Sequence, residues 1–292
     1  MSAETPLVSI GLPVYNGASS LRRAIDSLLI QDYPNFELVI SDNGSGDQTA
    51  VICEEYQARD KRVRFFRVET NQGMFWNFKR VLDLAEGEYF MWAAHDDRWE
   101  PQFISSLLLE LQLHPEAGVA MPATDLVDED GGLVKPVRLD LGDKSPNELG
   151  YFSMLLRLLT FWGGSTKSHH HYFYGLFRRN LLQEAMGYFI DTAFADRMFM
   201  SMFALVGRFR YVPRVLYYKT KQRKHMLRRH PTEDFAKAHH SLPRLFLTPF
   251  QLASMIWRCR LVPVWRKFYI PVAMLGMTKI IGVWIVKNWG NK

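Results

Sequence analysis

The sequence lacks several patterns that identify common protein classes. Its two cysteines, Cys53 and Cys259, are too few and too far apart for a disulfide framework or a cysteine-based zinc site. It contains neither a Gly-x-Gly-x-x-Gly sequence nor a Gly-Lys-Ser/Thr loop, so neither the usual dinucleotide fold nor a phosphate-binding P-loop is indicated. The first residues show no basic segment followed by an apolar run, so we expect the chain to begin in the cytosol.

The charges that are present are distributed unevenly. The net charge of the 292 residues is +6, but Gly207 to Lys292 holds 18 Lys and Arg residues and only two acidic residues. Such a basic segment predicts an anionic partner. Its apolar content favours an anionic membrane surface over nucleic acid, and we expect no nucleic-acid partner.

Apolar runs that predict strands alternate with segments that predict helices in the first 121 residues. Hydrophobic residues make up 48% of the chain, enough for a full core. Strict alternation predicts an α/β fold with a mostly parallel, Rossmann-type sheet and helices on both faces. The predicted strands are Leu7 to Leu12, Phe36 to Ile40, Val63 to Val68, Tyr89 to Ala94 and Gly118 to Met121.

Polar residues follow four of these strands directly: Asn16, Asp42, Asn71 and Asp96. Ligands of such sheets bind at the carboxyl ends of the strands. A pair of carboxylates there, Asp96 and Asp97, is costly to desolvate unless a cation is near, and a divalent ion bridging to a diphosphate is the usual reason. The alternative is a helix cap with a solvated loop acid.

The pattern is less regular after the fifth strand. Asp125 to Gly142 predicts a hairpin or lid, and residues 149–159 predict a helix. His169, His170 and His171 are consecutive, so they cannot all face one ion from regular structure, and we interpret them as a loop. Two strands separated by Pro213 are predicted at Phe209 to Val212 and Val215 to Tyr218.

Taken in order, these motifs resemble the family 2 glycosyltransferases of the GT-A fold, from about Leu7 to about Tyr218. The resemblance implies inverting transfer of a sugar from a nucleoside-diphosphate sugar, with Mg²⁺ or Mn²⁺ as cofactor. It implies that Asp96 binds the metal, with Asp97 as a second ligand or a supporting residue, and that Asp196 is the catalytic base. The implied nucleotide-sugar-binding residues are Pro13, Val14, Tyr15, Asn16, Asp42, Asn71, Gly73, Asn77, His95 and Asp96.

At Asp42 the resemblance implies a contact with the base, and a carboxylate that accepts from a base N–H favours uridine or thymidine. The sequence departs from the family pattern at two places. Ala94 replaces the first acid of the Asp-x-Asp motif, and Ala195 replaces the acid that commonly precedes the base. These two changes leave open a non-catalytic nucleotide-sugar-binding or scaffold protein. A metal-dependent nucleotidyltransferase is a further alternative, but it would need a Gly-rich loop with Lys or Arg near the N-terminus, and Pro13 to Asn16 contains no basic residue.

We predict a catalytic domain over residues 1–220 and a basic, apolar helical region over residues 221–292. Residues 268–286 contain one charge, Lys279, and are about long enough to cross a bilayer. Pro263, Pro271 and Gly276 instead favour broken helices lying in the membrane surface, with a packed helical subdomain as the alternative. We therefore expect the protein at the cytoplasmic face of the cell membrane, acting on a lipid-linked or envelope glycan acceptor.

Overall fold

The structure, a computed structural model, describes residues 5–137, 173–191, 195–221 and 242–289. The chain divides into two compact units. The first comprises Met1–Asp140, Tyr174–Gln183 and Phe209–Lys221, and the second comprises Leu141–Phe173, Glu184–Arg208 and Gln222–Lys292. The division into a catalytic domain and a tail at residue 220 stays a prediction.

The first half of unit 1 is a parallel sheet whose strands are connected by helices. The four strands are β1 (Val8–Val14), β2 (Phe36–Asp42), β3 (Val63–Arg67) and β4 (Tyr89–Trp92). The helices between them are α1 (Ala18–Leu29), α2 (Thr49–Arg59) and α3 (Met74–Leu84). Every residue of β1 and β2 is buried, and most of them are apolar, as expected for strands covered on both faces. The alternation predicted for this part of the chain is confirmed.

The remaining elements of unit 1 extend the sheet in the antiparallel sense. They are β5 (Arg98–Trp99), α4 (Phe103–Leu113), β6 (Ala117–Val127), β7 (Leu133–Val137), β8 (Leu176–Arg178), α5 (Arg179–Met186), which continues into unit 2, and β9 (Arg208–Thr220). Among the described residues the sheet has nine strands in the order β3-β2-β1-β4-β8-β6-β9-β5, with β7 paired to β6.

The predicted mostly parallel sheet is wrong beyond β4. Strand β1 pairs in parallel with β2 and β4, and β2 pairs in parallel with β3, whereas β8 lies antiparallel between β4 and β6. An antiparallel strand needs no crossover helix, so β8 can pair with β4 and β6 although it comes from a distant segment of the chain. The sheet is therefore mixed, and its parallel half carries the polar strand ends.

Two local predictions are corrected or completed. The two strands predicted on either side of Pro213 form one continuous strand, β9, and Pro213 is exposed there, as expected of a proline within a strand. The predicted hairpin is confirmed as the β6–β7 pair up to Val137, and its continuation to Gly142 lies outside the described residues.

The described part of unit 2 is helical: α6 (Ala195–Val206), α7 (Leu242–Arg258), a 3₁₀ helix (Val264–Tyr269) and α8 (Ile270–Trp289). Pro263 precedes the 3₁₀ helix, and Pro271 lies in the first turn of α8 rather than breaking it. In the part of the chain that the structure describes, we find no helix with the length and apolarity needed to cross a membrane. The predicted helix at 149–159 and His169 to His171 lie outside that part.

Candidate functional site

The carboxyl end of β2 places a buried carboxylate at the centre of the candidate site. Asp42 is 0% exposed, and its Oδ1 accepts hydrogen bonds from the backbone N–H of Ser45, at 3.0 Å, and from the Ser45 hydroxyl. The Nε atom of Arg67 lies 3.4 Å from Asp42 Oδ2, and the Arg67 side chain is 47% exposed. A half-exposed guanidinium therefore covers one oxygen of a fully buried acid.

Three buried polar atoms around the end of β2 have no hydrogen-bond partner among the described residues: Ser41 Oγ, Asp42 Oδ2 and Asn77 Oδ1. Asn77 is joined to this strand end, because its Nδ2 donates to the carbonyl of Ser41 at 2.8 Å. Buried polar groups without partners cost stability and are rare, so such a group of atoms indicates a place that a polar ligand or water completes.

Hydrogen bonds connect the loop after β1 to the loop after β2. Asn16 has a φ of 51°, in the left-handed region, which residues other than glycine adopt rarely and asparagine more often than most. Its N–H donates to the Ser45 hydroxyl at 2.8 Å, and its Oδ1 accepts from the N–H of Gly46 at 2.9 Å. Pro13 and Val14 lie in buried β1, and Tyr15 is partly buried beside Asn16.

Asn43 connects the β2 loop to the loop that follows β3. Its Nδ2 donates to Asn71 Oδ1 at 2.9 Å and to the carbonyl of Gly73 at 3.0 Å, and its Oδ1 accepts from the N–H of Gln72 at 3.0 Å. Gly73 has a φ of 95°, which only glycine adopts readily. The site residues predicted from the sequence did not include Asn43, although its position directly after Asp42 was the available signal.

The end of β4 carries Ala94, His95 and Asp96, all partly buried. The Nδ1 atom of His95 lies 3.1 Å from the hydroxyl of Ser20 in α1, and a Cβ on Gly17 would come within 3.0 Å of the His95 ring. The backbone carbonyl of Asp96 accepts a hydrogen bond from Arg23 at 3.3 Å. The β4 end is therefore held against the start of α1, next to the end of β1.

Asp97 is fully buried and faces β9. Its Oδ2 accepts from the hydroxyl of Tyr217, and its Oδ1 accepts from the N–H of Thr220 at 2.8 Å. Burial, followed by the neighbouring charge of Asp96, raises the pKa of Asp97 to about 7, against the opposing effect of Lys219. Because both oxygens already accept hydrogen bonds, the geometry favours a supporting role for Asp97 over direct metal binding.

The residues present fit a hard divalent cation, such as Mg²⁺, most of whose ligands are water molecules and substrate phosphates. The described residues contain no group of three or more His, Cys, Asp or Glu side chains that could hold a metal ion. Magnesium is usually bound by one or two carboxylates and completes its shell with water and substrate phosphates. One carboxylate at a strand end, Asp96, matches that donor set.

Asp196 belongs to unit 2. It is the second residue of α6, it is partly buried, and it follows Ala195, which is buried. In this position its charge complements the positive end of the helix dipole. Hydrogen bonds thus join the predicted residues of the loops after β1, β2 and β3, and the segment His95 to Asp97 lies next to these loops. Asp196 belongs to the other compact unit.

The chain was compared with known proteins. The model for Glycosyl transferase family 2 matches residues 9–185. An uncharacterised glycosyltransferase of Rickettsia typhi is 42% identical over 100 residues, 34% of this chain and 30% of that protein. A putative teichuronic acid biosynthesis glycosyltransferase, TuaG of Bacillus subtilis, is 29% identical over 126 residues, 43% of this chain and 50% of that protein. The matches thus span half or less of these relatives.

Solved structures share the fold. TarS of S. aureus, residues 1–349 in complex with UDP-GlcNAc, superimposes with a TM-score of 0.68 at 21% identity, covering 94% of this chain and 72% of that one. The mannosyltransferase PcManGT of Pyrobaculum calidifontis, in complex with GDP-Man and Mn²⁺, gives 0.55 at 17% identity, covering 98% and 88%. The predicted GT-A-like α/β fold is confirmed, with a mixed sheet in place of a mostly parallel one.

Proposed function

Because the chain belongs to glycosyl transferase family 2, we propose that it moves a sugar from a nucleoside-diphosphate sugar to an acceptor hydroxyl with inversion at the anomeric carbon. The observation that carries this proposal is that hydrogen bonds join the polar loops after β1, β2 and β3. These loops surround Asp42, where three buried oxygen atoms have no hydrogen-bond partner among the described residues. The family match also removes the nucleotidyltransferase alternative.

The nucleoside is recognised at the end of β2. The N3–H of uracil or thymine is a donor, and Asp42 Oδ2 is an acceptor without a hydrogen-bond partner among the described residues. Arg67 lies over this oxygen and is half-exposed, so movement of its side chain is the step that opens the carboxylate to a base. The UDP-GlcNAc bound by TarS supports a uridine donor, whereas the GDP-Man bound by PcManGT makes guanosine the competing outcome.

The diphosphate lies towards the end of β4 in this proposal. Asp96 would hold Mg²⁺ or Mn²⁺ there, and the ion, when bound, neutralises negative charge on the departing diphosphate. Arg23 fixes the backbone of Asp96, and Asp97 anchors the same segment to β9. Ala94 contributes no carboxylate, so Asp96 carries the metal site without the first acid of the usual motif.

In the transfer step the acceptor oxygen forms a bond to the anomeric carbon while the bond from that carbon to the diphosphate oxygen breaks. Asp196 accepts the proton of the acceptor hydroxyl, and the nucleoside diphosphate leaves. Asp196 lies in the first turn of α6, directly after the buried Ala195. We propose a lipid-linked or envelope glycan as acceptor, which the name of TuaG supports.

The test is release of nucleoside diphosphate by the purified chain from UDP-, TDP- and GDP-sugars with Mg²⁺ or Mn²⁺. We expect Asp96→Asn to lower the rate by about 100-fold or more, because charge stabilisation of the leaving group is lost. Asp196→Asn should bind the donor normally and lose turnover to a similar extent. Asp83→Asn is the matched control, since Asp83 is 52% exposed on α3 and should leave the rate unchanged.

Two results would contradict the proposal. Donor binding without release from any sugar would favour the non-catalytic nucleotide-sugar-binding protein. Weaker donor binding by Asp196→Asn with unchanged turnover would show that Asp196 is not the base.

A further inference from the structure

Helix α7 is apolar on the face that it exposes as well as on the face that it buries. The buried side chains are Leu252, Met255 and Ile256 within α7 and Cys259 directly after it. On the other side, Phe246 and Phe250 are each 64% exposed and Trp257 is 66% exposed. A helix on the surface of a globular unit normally presents polar residues to solvent. Among the described residues, this apolar side of α7 is therefore left uncovered.

The exposed apolar residues of α7 form one stripe that the next element continues. Positions 246, 250 and 257 share a helix face, because their spacing of four and seven residues follows the helical period. The Nζ atom of Lys267 donates to the carbonyl of Trp257 at 2.7 Å, which holds the 3₁₀ helix beside the end of α7. Phe268 in that 3₁₀ helix is 82% exposed. We call Phe246, Leu247, Phe250, Trp257, Val264, Trp265 and Phe268 the aromatic face.

Basic groups accompany the aromatic face, and acidic residues are absent from residues 242–289 of the sequence. Arg258 and Arg260 are exposed. The Lys267 ammonium lies 5.4 Å from the centroid of the Trp257 ring, and the Arg266 guanidinium lies 4.8 Å from that of Trp265. Tryptophan rings and long basic side chains interleaved in this way match the boundary between lipid headgroups and acyl chains.

We propose that the aromatic face docks in the plane of an anionic lipid surface. The aromatic side chains enter the boundary of the acyl chains, and Arg258, Arg260 and Lys267 contact headgroup phosphates. Charge complementarity selects this partner, since an uncharged apolar partner would leave the exposed arginines without counter-charges. The proposal goes beyond sugar transfer and is independent of which donor the chain uses.

The test is co-flotation of the full chain with vesicles of phosphatidylcholine alone and of phosphatidylcholine with phosphatidylglycerol. We expect binding to the anionic vesicles at low salt, and partial retention at about 1 M salt, where charges are screened beyond about 3 Å but apolar contacts are not. Phe250→Ser, Trp257→Ser and Phe268→Ser combined should reduce binding by more than about tenfold. Arg258→Gln with Arg260→Gln should reduce it by about tenfold on anionic vesicles only.

The chain offers matched controls for both variants. Leu109→Ser with Leu113→Ser removes exposed apolar side chains from α4 in unit 1. Arg59→Gln with Lys61→Gln removes exposed charges at the end of α2, also in unit 1. Both controls should bind as the parent does. A thermal melt of each variant checks that it is folded. In addition, vesicles of brominated lipid should quench tryptophan fluorescence of the parent more strongly than that of Trp257→Phe, a variant that keeps the residue aromatic.

Three results would overturn the proposal. The parent could stay with the soluble fraction on anionic vesicles at low salt, or bind both vesicle types equally. The triple serine variant could float as the parent does. Finally, a parent that is dimeric without lipid, with a monomeric triple variant, would make the aromatic face an interface between copies of the chain.

Discussion

Asp97, next to the proposed metal ligand Asp96, is held in place by residues of a distant strand, β9. Its carboxylate is fully buried, and it accepts hydrogen bonds from the Tyr217 hydroxyl and the Thr220 N–H, more than a hundred positions away. The ring of Tyr217 packs between those of Trp99 and Tyr174, each with its centroid 5.6 Å away. Asp97 therefore fixes the segment that carries Asp96 to a rigid part of β9.

We predict that Asp97 and Tyr217 are energetically coupled. Tyr217→Phe leaves a buried carboxylate oxygen without its donor, so it should lower the free energy of unfolding by about 1–3 kcal/mol. Asp97→Asn should cost a similar amount, and the double variant less than the sum of the two, by at least about 0.5 kcal/mol. Urea unfolding of the three variants measures this. Strict additivity would mean that the contact contributes nothing to stability.

Gly44 allows a residue-level test of the loop that surrounds Asp42. Its φ is +78°, and a Cβ there would lie 2.9 Å from the backbone carbonyl carbon of Thr70. Gly44→Ala should therefore destabilise the protein by about 1–2 kcal/mol or more, since the left-handed conformation and the close backbone contact both oppose it. It should also weaken nucleotide binding, because the loop must shift.

Gly46 in the same loop provides the control. A Cβ on Gly46 would meet nothing within 4 Å. Gly46→Ala should therefore change the free energy of unfolding by less than about 0.5 kcal/mol. Thermal melts of the two alanine variants compare them directly. A melting temperature for Gly44→Ala equal to that of Gly46→Ala would argue against the backbone constraint.

At the scale of elements, Glu37 joins the amino-terminal halves of neighbouring strands. Its Oε1 accepts from the Ser9 hydroxyl in β1 at 2.6 Å and from the N–H of Glu86, before β4, at 2.7 Å. Its Oε2 accepts from Arg64 in β3 at 2.5 Å. Burial raises the pKa of Glu37, but these hydrogen bonds together with the charge of Arg64 outweigh burial, so that the net effect lowers the pKa.

The lowered pKa predicts an acid-dependent loss of stability. The folded protein binds a proton at Glu37 less readily than the unfolded chain, so the contribution is present above the unfolded pKa of about 4.3 and is lost as pH falls below it. Glu37→Gln should lower the free energy of unfolding at pH 7 by about 1–3 kcal/mol and flatten its decline between about pH 5 and pH 3. Glu54→Gln, an exposed glutamate on α2, is the control. Parallel pH profiles for the parent and Glu37→Gln would contradict this.

At the scale of the whole molecule, the half of the sheet built from local repeats was predictable. Strands β1, β2 and β4 are buried throughout, and β1, β2 and β3 are each followed by a helix. The alternation of such segments therefore identified the strands and placed Asn16, Asp42 and Asp96 after their ends. Strand β8 has three residues and pairs with strands far away in sequence. Such a strand depends on tertiary contacts, and no pattern within three residues reveals it.

The site was predictable to the same extent. Position after a strand identified candidate residues, and the resemblance assigned their roles. The direction in which a carboxylate points was not predictable, which is why Asp97 was taken as a possible metal ligand although Tyr217 and Thr220 occupy its oxygens. Likewise, the bonds of Asn43 to Asn71 and Gly73 depend on how two loops meet.

The central claim, a nucleotide site at the carboxyl ends of β1 and β2, is tested most directly by calorimetric titration of UDP in the presence of Mn²⁺. We predict that the parent binds and that Asp42→Asn binds at least about tenfold more weakly, because the amide replaces one accepting oxygen with a donor. Asp83→Asn should bind as the parent does, and circular dichroism confirms that each variant is folded. Equal affinity of the parent and a folded Asp42→Asn, or no binding of UDP, TDP or GDP to the parent, would contradict the account.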